Sequence, residues 1–435
     1  MRRFVANEQQ LSPSDAGTDP GKRIRVFAVA IVLICSAYYA LTWSNFSSTI
    51  GFCRDLFCDF IEYYYPMGEA VFHTALPVSG YLYSPFIAIV LSAFPLVGLN
   101  TALVLWGISQ VLGIVLCPFL ASRAFAAGPR IQFLFAAIFL SCFPIAFTFL
   151  TGQVSVFIMA AALGSLLLYE RGHRAGAAVL LALAVSFKFY PIIFLAPAIA
   201  RRDWRFLLLV AVSCAVALLL IPAVFLGADD TRRFYGALLE SFRESDWVVD
   251  SAHSQYAPHV ALRYADVLGY DIRAQLPLLR WLALGVAAAN FGLIVWIQRA
   301  RLRLANLWSF QLVFLSIPLV LKTSGPHDFV FLPVAQTLLA WWLIEGDVAV
   351  IRVDSSRGDL DVSTWRHPSS RRRTLIKFLL VPSIIISNIG FFNLLGHFIA
   401  YGYSAFLFWA NLLLLIASYV VMLPPAQRRL RRVSC

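Results

Sequence analysis

The chain has 435 residues, of which 60% are hydrophobic and only 13% are charged. So little charge excludes a soluble globular domain and is typical of an integral membrane protein. The net charge of +12 would suit a nucleic-acid-binding protein, but the basic residues form short clusters between apolar runs. That distribution follows the positive-inside rule and suits anionic lipid headgroups, so we exclude nucleic acid as a partner.

The apolar runs predict a multi-pass, all-α membrane protein. A span needs about 20 apolar residues, and on that rule we expect about twelve transmembrane helices. Residues 1–24 predict a disordered cytoplasmic tail, followed by an uncleaved first span. The spans are approximately Val26–Trp43, Leu82–Val97, Thr101–Ala121, Ile131–Leu150, Val154–Leu168, Ala175–Ala200, Phe206–Leu226, Leu276–Ile297, Leu307–Leu321, Val330–Leu343, Phe378–Leu395 and Ala405–Leu423.

Twelve crossings over residues 25–423 put both termini in the cytoplasm. This count predicts outer loops at about 44–80, 227–274 and 322–328, a cytoplasmic insert at about 345–377, and a basic cytoplasmic tail at 424–435. The basic clusters near Arg201, Arg299, Arg371 and Arg428 then lie inside, as the charge rule requires. One conflict remains, because the same count puts four arginines outside: Arg123, Arg130, Arg171 and Arg174.

Acidic side chains concentrate in the first outer loop. The chain has 23 Asp and Glu residues, and four fall in this short stretch: Asp55, Asp59, Glu62 and Glu69. A carboxylate at a membrane boundary is costly to bury, so the cluster indicates either a solvated loop or a working site. Cys53 and Cys58 flank the loop and form a disulfide if it faces an oxidising compartment; two reduced thiols are the alternative.

The order of several short motifs resembles that of a known family. The motifs are Asp59-Phe60 with Tyr63-Tyr64, then Tyr81-Leu82-Tyr83 with Pro85-Phe86, Gly152-Gln153-Val154, Lys188 with Pro191, and Ser324 to His327. Together they resemble glycosyltransferase family 87, which contains polyprenol-phosphate-mannose-dependent mannosyltransferases of the membrane C-type fold. The resemblance implies a polytopic enzyme whose first outer loop carries the catalytic residue.

By this resemblance Asp59 is the general base. An alcohol that attacks an anomeric carbon must lose its proton as the new bond forms, and a positioned carboxylate can accept that proton. The leaving polyprenyl phosphate is a stable anion, so a base and cationic support for the phosphate suffice. Asp55 is the rival base, although a salt bridge with Arg54 is the simpler interpretation of Asp55. We expect no metal and no cofactor.

Two further residues have both a functional and a structural interpretation. Lys188 lies in an apolar run before Tyr190-Pro191, where it either binds the donor phosphate or extends its stem to the membrane interface. His327 either contacts a phosphate or sugar hydroxyl, or pairs locally with Asp328. The family usually has an aromatic residue where this chain has Asp328. The resemblance favours the functional interpretation of both Lys188 and His327.

The remaining candidates are polar or aromatic residues that match the same motifs. Gln153 is either a substrate contact or a helix cap; on the twelve-span topology its turn lies on the side of the membrane away from the acidic loop, which counts against contact with the substrate. Ser254-Gln255-Tyr256 and Arg263 match a family motif only partly. The substrate-binding candidates beside Lys188 and His327 are Tyr63, Tyr64, Tyr83, Gln153, Gln255 and Arg263.

The sequence thus predicts an inverting membrane glycosyltransferase. It would move a hexose, mannose by resemblance, from a polyprenyl-phosphate donor to a lipid or glycan acceptor on the extracytoplasmic face of a bacterial plasma membrane. A polytopic transporter or lipid flippase is the alternative, since about twelve spans with sparse charge also fit that class. Transporters commonly have repeated halves and broken helices in corresponding positions, and the sequence indicates neither.

Overall fold

The structure is a computed structural model that describes residue 53 and residues 55–125, 129–243, 251–300, 304–345, 349–353, 360–364 and 370–422. The predicted first span, the two predicted cytoplasmic tails and Arg54 lie outside these residues. The first helices are α1 (Tyr65–Thr74, preceded by a π-helical turn Phe60–Tyr64), α2 (Pro85–Leu91), α3 (Leu99–Ala124), α4 (Pro129–Ser141), α5 (Phe143–Thr151), α6 (Ser155–Glu170) and α7 (Arg174–Phe187).

The chain continues through a 3-10 turn, Tyr190–Leu195, into α8 (Ala196–Arg201), α9 (Trp204–Ala215) and α10 (Ile221–Leu226). The polar segment 227–274 contains α11 (Ala228–Arg243) and α12 (Ala257–Val267). The later helices are α13 (Leu276–Arg299), α14 (Ala305–Leu315), α15 (Ile317–Val320), α16 (Leu332–Glu345), α17 (Ser370–Ile386), α18 (Ile389–Leu395), α19 (Phe398–Tyr403) and α20 (Phe406–Met422).

Helices therefore dominate, as the all-α prediction expects. Among the described residues, five stretches are long and apolar enough to cross a membrane: Leu99–Ala124, Trp204–Leu226, Arg273–Arg299, Pro326–Ile344 and Phe398–Met422. The described part also has one antiparallel hairpin, β1 (Ala349–Val353) and β2 (Leu360–Thr364), with Ala349 opposite Thr364. This hairpin falls in the predicted cytoplasmic insert and departs from a purely helical fold.

Several predicted spans are broken into shorter helices. The predicted span Ile131–Leu150 is interrupted at Cys142, just before Pro144, and forms α4 and α5. The break meets a second break after α17, where the Phe143 amide donates to the Ser387 carbonyl at 2.8 Å and Cys142 pairs with Asn388. Backbone groups freed in an apolar environment must find protein partners, and these two breaks supply them to each other.

The predicted span Ala175–Ala200 is wrong as a single crossing. A continuous helix of that length would separate its ends by about 40 Å. Instead Asp203 accepts hydrogen bonds from Arg174 at 2.9 Å and from Tyr169 at 3.0 Å, and the Arg201 guanidinium lies 6.0 Å from the Tyr169 ring. The chain thus rises through α7, reverses at Lys188, and returns through α8 to the end where it started.

The chain reverses at Lys188 for a local reason. Pro191 has no amide proton to donate to the carbonyl of Phe187, the last residue of α7, so the helix cannot continue. Lys188 has extended backbone angles, and the following residues form the 3-10 turn. A lysine expected in the middle of a span is instead at the tip of a helical pair.

The predicted span Leu82–Val97 is also wrong. Its helix, α2, has seven residues and ends at Leu91, and a 3-10 turn of three residues follows at Pro95–Val97. Even counted with that turn, the apolar stretch Pro85–Val97 has fewer than 18 residues and is shorter than the hydrocarbon thickness. It packs on the first loop: Gly68 of α1 lies against the Leu91 backbone of α2, and the Tyr64 hydroxyl lies 2.6 Å from that of Tyr83. Residues 82–97 therefore belong with the first loop.

We predict that both ends of the α7–α8 pair are accessible from one side of the membrane. His173 and Arg205 are exposed and precede and follow the pair. In a background whose cysteines are limited to Cys53 and Cys58, His173→Cys and Arg205→Cys should react with an impermeant maleimide from the same side. Labelling from opposite sides would contradict the helical pair and support a single crossing at Ala175–Ala200.

Candidate active site

The first loop is held to the bundle by aromatic rings. Phe60 is fully buried and stacks on Trp106 of α3 with ring centroids 4.8 Å apart. Tyr64 meets the same indole edge-on at 5.6 Å. Because these residues lie on a π-helical turn that begins immediately after Asp59, the packing of Phe60 and Tyr64 fixes the direction in which Asp59 enters the protein.

Asp59 meets a residue far away in the sequence. Its Oδ2 accepts a hydrogen bond from Nε2 of Gln153, in the turn between α5 and α6. The expectation that this turn lies on the side of the membrane away from the acidic loop is therefore wrong. The turn lies directly against the first loop, so the Gln153 amide is part of the same site as Asp59.

The orientation of the Gln153 amide follows from its other partners. Its Oε1 lies 3.0 Å from the Tyr64 hydroxyl and 2.9 Å from the Tyr83 hydroxyl, and the two hydroxyls are 2.6 Å apart. Each phenol has one proton, so one hydroxyl donates to Gln153 and the other donates to its neighbour at any moment. Both phenols need an acceptor, which leaves the amide nitrogen to face Asp59.

The turn that carries Gln153 is built by residues that the sequence analysis missed. Gln110 donates to the Gln153 carbonyl at 2.9 Å, and the Trp106 indole donates to the Gly152 carbonyl at 3.0 Å. Gly152 has a φ of 73°, and a side chain there would meet Phe57 and Trp106 at 3.0 Å. The sequence feature that could have predicted this support is the pair Trp106 and Gln110, which lie one helical turn apart in α3.

A second cluster forms around Lys188. Its ammonium donates to Oδ1 of Asp328 at 3.1 Å, while Oδ2 of Asp328 accepts from the Gly325 amide at 3.0 Å and lies 3.4 Å from Nε2 of His327. The Asp328 side chain is 1% exposed, whereas those of Lys188 and His327 are 17% and 18% exposed. Asp328, a departure from the family pattern, is the buried centre of this cluster.

The two clusters belong to one site. The Ser84 hydroxyl, next to Tyr83, donates to the Ser186 carbonyl at 2.6 Å, two residues before Lys188. The Lys188 ammonium lies 5.9 Å from the centre of the Tyr83 ring and interacts electrostatically with Asp59. A partly buried carboxylate thus faces a cation across Tyr83.

Burial sets the protonation behaviour of Asp59. Desolvation raises its pKa from the ordinary 3.8 to about 6, and the charge of Glu62 acts in the same direction. The Gln153 amide and the Lys188 charge oppose this shift because they stabilise the ionised form. A carboxyl group with such a pKa is ionised at neutral pH and is a stronger base than an exposed aspartate.

The other predicted candidates have different surroundings. Gln255 is buried; its side-chain amide donates to the Gly402 carbonyl at 3.2 Å and accepts from the Phe408 amide at 3.3 Å. Arg263 donates to the Ser251 carbonyl at 2.9 Å. Both side chains fasten the loop before α12. The Gln255 backbone amide donates to the Ser324 carbonyl at 2.8 Å, so this loop packs against the turn that carries His327 and Asp328. The side-chain contacts given above for Gln255 and Arg263 are to this loop and to the backbone near α19 and α20.

Tyr63 and Asp55 lie at the edge of the site. Tyr63 is partly exposed and covers Gly80, where a side chain would collide with its ring. Burial raises the pKa of Tyr63, and the charge of Asp59 acts in the same direction. Asp55 is exposed. Within the described ranges, no group of three or more His, Cys, Asp or Glu residues could hold a metal ion; the metal-free expectation stays a prediction.

Comparison with known sequences identifies the family. The model of glycosyltransferase family 87 matches residues 81–322, more than half of the chain. That range contains Tyr83, Gln153 and Lys188, while Asp59 precedes it and His327 follows it. A search of curated protein sequences finds no match. The chain belongs to glycosyltransferase family 87 and is a membrane glycosyltransferase.

Proposed function

We propose that this glycosyltransferase moves a hexose, mannose by family resemblance, from a polyprenyl-phosphate donor to a lipid or glycan acceptor, with inversion. The observation that carries the proposal is a partly buried carboxylate, Asp59, that shares a site with a lysine, Lys188. One group can take a proton and the other can support a phosphate. The match to a glycosyltransferase family favours a transferase over the transporter alternative.

In the proposed reaction Asp59 accepts the proton of the acceptor hydroxyl. The acceptor oxygen then forms a bond to the anomeric carbon as the bond from that carbon to the phosphate oxygen breaks. A single displacement from the opposite face inverts the anomeric configuration. Gln153 holds the Asp59 carboxylate through one oxygen, and the second oxygen is left to receive the proton.

Lys188 and His327 are proposed to receive the leaving phosphate. Asp328 balances the Lys188 charge. The pair is therefore a fixed dipole whose ammonium keeps further protons to donate.

We also propose twelve crossings with a revised division. The α7–α8 pair supplies two crossings in place of one, and residues 82–97 supply none. Arg174, which interacts with Asp203 beside Arg201, then lies on the cytoplasmic side with the other basic clusters, together with Arg123, Arg130 and Arg171. The conflict with the positive-inside rule disappears, which supports an extracytoplasmic site for Asp59.

Replacing the base should abolish transfer. Asp59→Asn keeps the size of the side chain but removes the basic oxygen, so we expect a loss of about 100-fold or more. The measurement is hexose transfer from a synthetic polyprenyl-phosphate hexose by purified enzyme in nanodiscs. The matched control, Asp55→Asn, changes an exposed carboxylate in the same loop and should transfer at the parent rate. If Asp55→Asn is inactive and Asp59→Asn is active, Asp55 is the general base and Asp59 is not.

The pH profile should report the raised pKa of Asp59, because the base works only when ionised. We expect kcat/KM to fall tenfold per unit below about pH 6, rather than near 4. Gln153→Met removes a hydrogen bond to the ionised carboxylate, which raises the pKa of Asp59, so the acidic limb should move to higher pH. An acidic limb near pH 4 in the parent enzyme contradicts Asp59 as the base.

Lys188→Ala should weaken donor binding. A hydrogen bond to a charged group contributes about 1.5–3 kcal/mol, so affinity should fall about 10-fold or more. The single change leaves Asp328 buried without its cation, which can destabilise the fold; the double variant Lys188→Ala/Asp328→Asn removes both charges and serves as the control. Donor affinity is measured by thermal shift against polyprenyl-phosphate hexose. Unchanged affinity in both variants would remove Lys188 from the phosphate subsite.

A further inference from the structure

The residue next to Asp59 is held by a disulfide. Cys53 and Cys58 are bonded, with their Cα atoms 5.6 Å apart, and both are about 95% buried. The sequence left open whether these thiols pair. In the structure the bond closes a short ring that ends one residue before Asp59.

The disulfide ring is docked on the helix that leads to Gln153. The Phe57 amide donates to the Leu150 carbonyl at 2.7 Å, and the Phe57 ring meets Phe149 edge-on at 5.4 Å. Phe57 has a φ of 63°, a left-handed conformation that costs free energy for a bulky residue. Its neighbours must hold it there, and the disulfide beside it is one of these restraints.

The ring also sets the distance between Asp59 and Gln153. A side chain at Gly152 would meet Cβ of Phe57 at 3.0 Å, so the ring packs directly on the turn that carries Gln153. After Asp59 the Ile61 amide donates back to the Phe57 carbonyl at 3.0 Å. Asp59 thus lies between the disulfide ring and the π-helical turn, and opening the ring would free one of these two supports.

We propose that Cys53 and Cys58 are positioning residues whose disulfide holds Asp59 against Gln153, so that transfer requires the oxidised pair. The inference rests on the proposed function, in which Asp59 is the base. Forming the bond joins the two sulfurs, releases two protons, and passes two electrons to an oxidant of the thiol–disulfide exchange class. Extracytoplasmic compartments supply such oxidants, whereas the cytoplasm keeps thiols reduced. The enzyme would become active only once this loop is outside.

The predicted effect is on activity more than on folding. A disulfide that closes a short loop constrains the unfolded chain less than one that closes a long loop. The aromatic packing of Phe60 on Trp106 does not involve the two sulfurs. A small displacement of a catalytic group, by contrast, can cost about 100-fold in rate.

The test is hexose transfer by full-length enzyme in nanodiscs, before and after reduction with a water-soluble phosphine, with released thiols counted. The phosphine becomes its oxide and two thiols appear. We expect the rate to fall about 10-fold or more, with the thermal midpoint nearly unchanged, and to recover on reoxidation. The acidic limb should move to lower pH, because hydration of a loosened Asp59 removes the desolvation that is the largest influence on its pKa and outweighs the lost hydrogen bond from Gln153.

Two variants complete the design. Cys53→Ser/Cys58→Ser should have the low rate of the reduced enzyme and should not respond to the phosphine. Cys214→Ala removes a free, half-buried thiol elsewhere and should behave as the parent. Parent rates in the fully reduced enzyme or in the double serine variant overturn the proposal, and so does a loss of rate that follows the thermal midpoint with an unchanged pH profile. An active Asp59→Asn assayed in parallel would instead refute the base assignment.

Discussion

The hydrogen bond between Asp59 and Gln153 joins two parts of the chain that are otherwise separate: the acidic first loop and the turn between two short apolar helices. The rest of the site depends on it. Gln153 has to lie beside the loop, and the turn between α5 and α6 places it there. Asp59 has to enter the bundle, which the aromatic anchors Phe60 and Tyr64 achieve. The phenols of Tyr64 and Tyr83 then orient the amide.

A polar residue also reaches the site at Lys188. Pro191 ends a helix inside an apolar run, and Lys188 at the end of that helix presents its ammonium to the site. In a membrane such a tip is stable only when protein groups satisfy it. Asp328 does this for Lys188, while the Gly325 amide does it for Asp328. The helix break at Lys188 therefore delivers a polar group to the site, while long apolar helices such as α3 and α13 are candidate membrane spans.

Charge balance shapes the chemistry available at the site. Asp59 is partly buried, which raises its pKa, while Gln153 and Lys188 keep the rise modest. A more strongly buried carboxyl group would be protonated at neutral pH, and an exposed one would be a weak base. Lys188 in turn is compensated by Asp328. This balance suits the proposed transfer from a lipid phosphate.

The sequence by itself determined the membrane class, the acidic loop, and Asp59, Lys188 and His327 as candidates, because hydropathy and residue order are local properties. It misplaced the crossing at Ala175–Ala200 and the side of the membrane on which Gln153 lies. Hydropathy reports the length of an apolar run but not the direction of the chain, and two helices joined by a reversal have the same composition as one long helix. Only the tertiary structure decided that Asp203 joins Arg174 to Tyr169, that Asp328 pairs with Lys188 and that Cys53 bonds Cys58. These contacts join residues that chain reversals bring together, and no local sequence pattern encodes them.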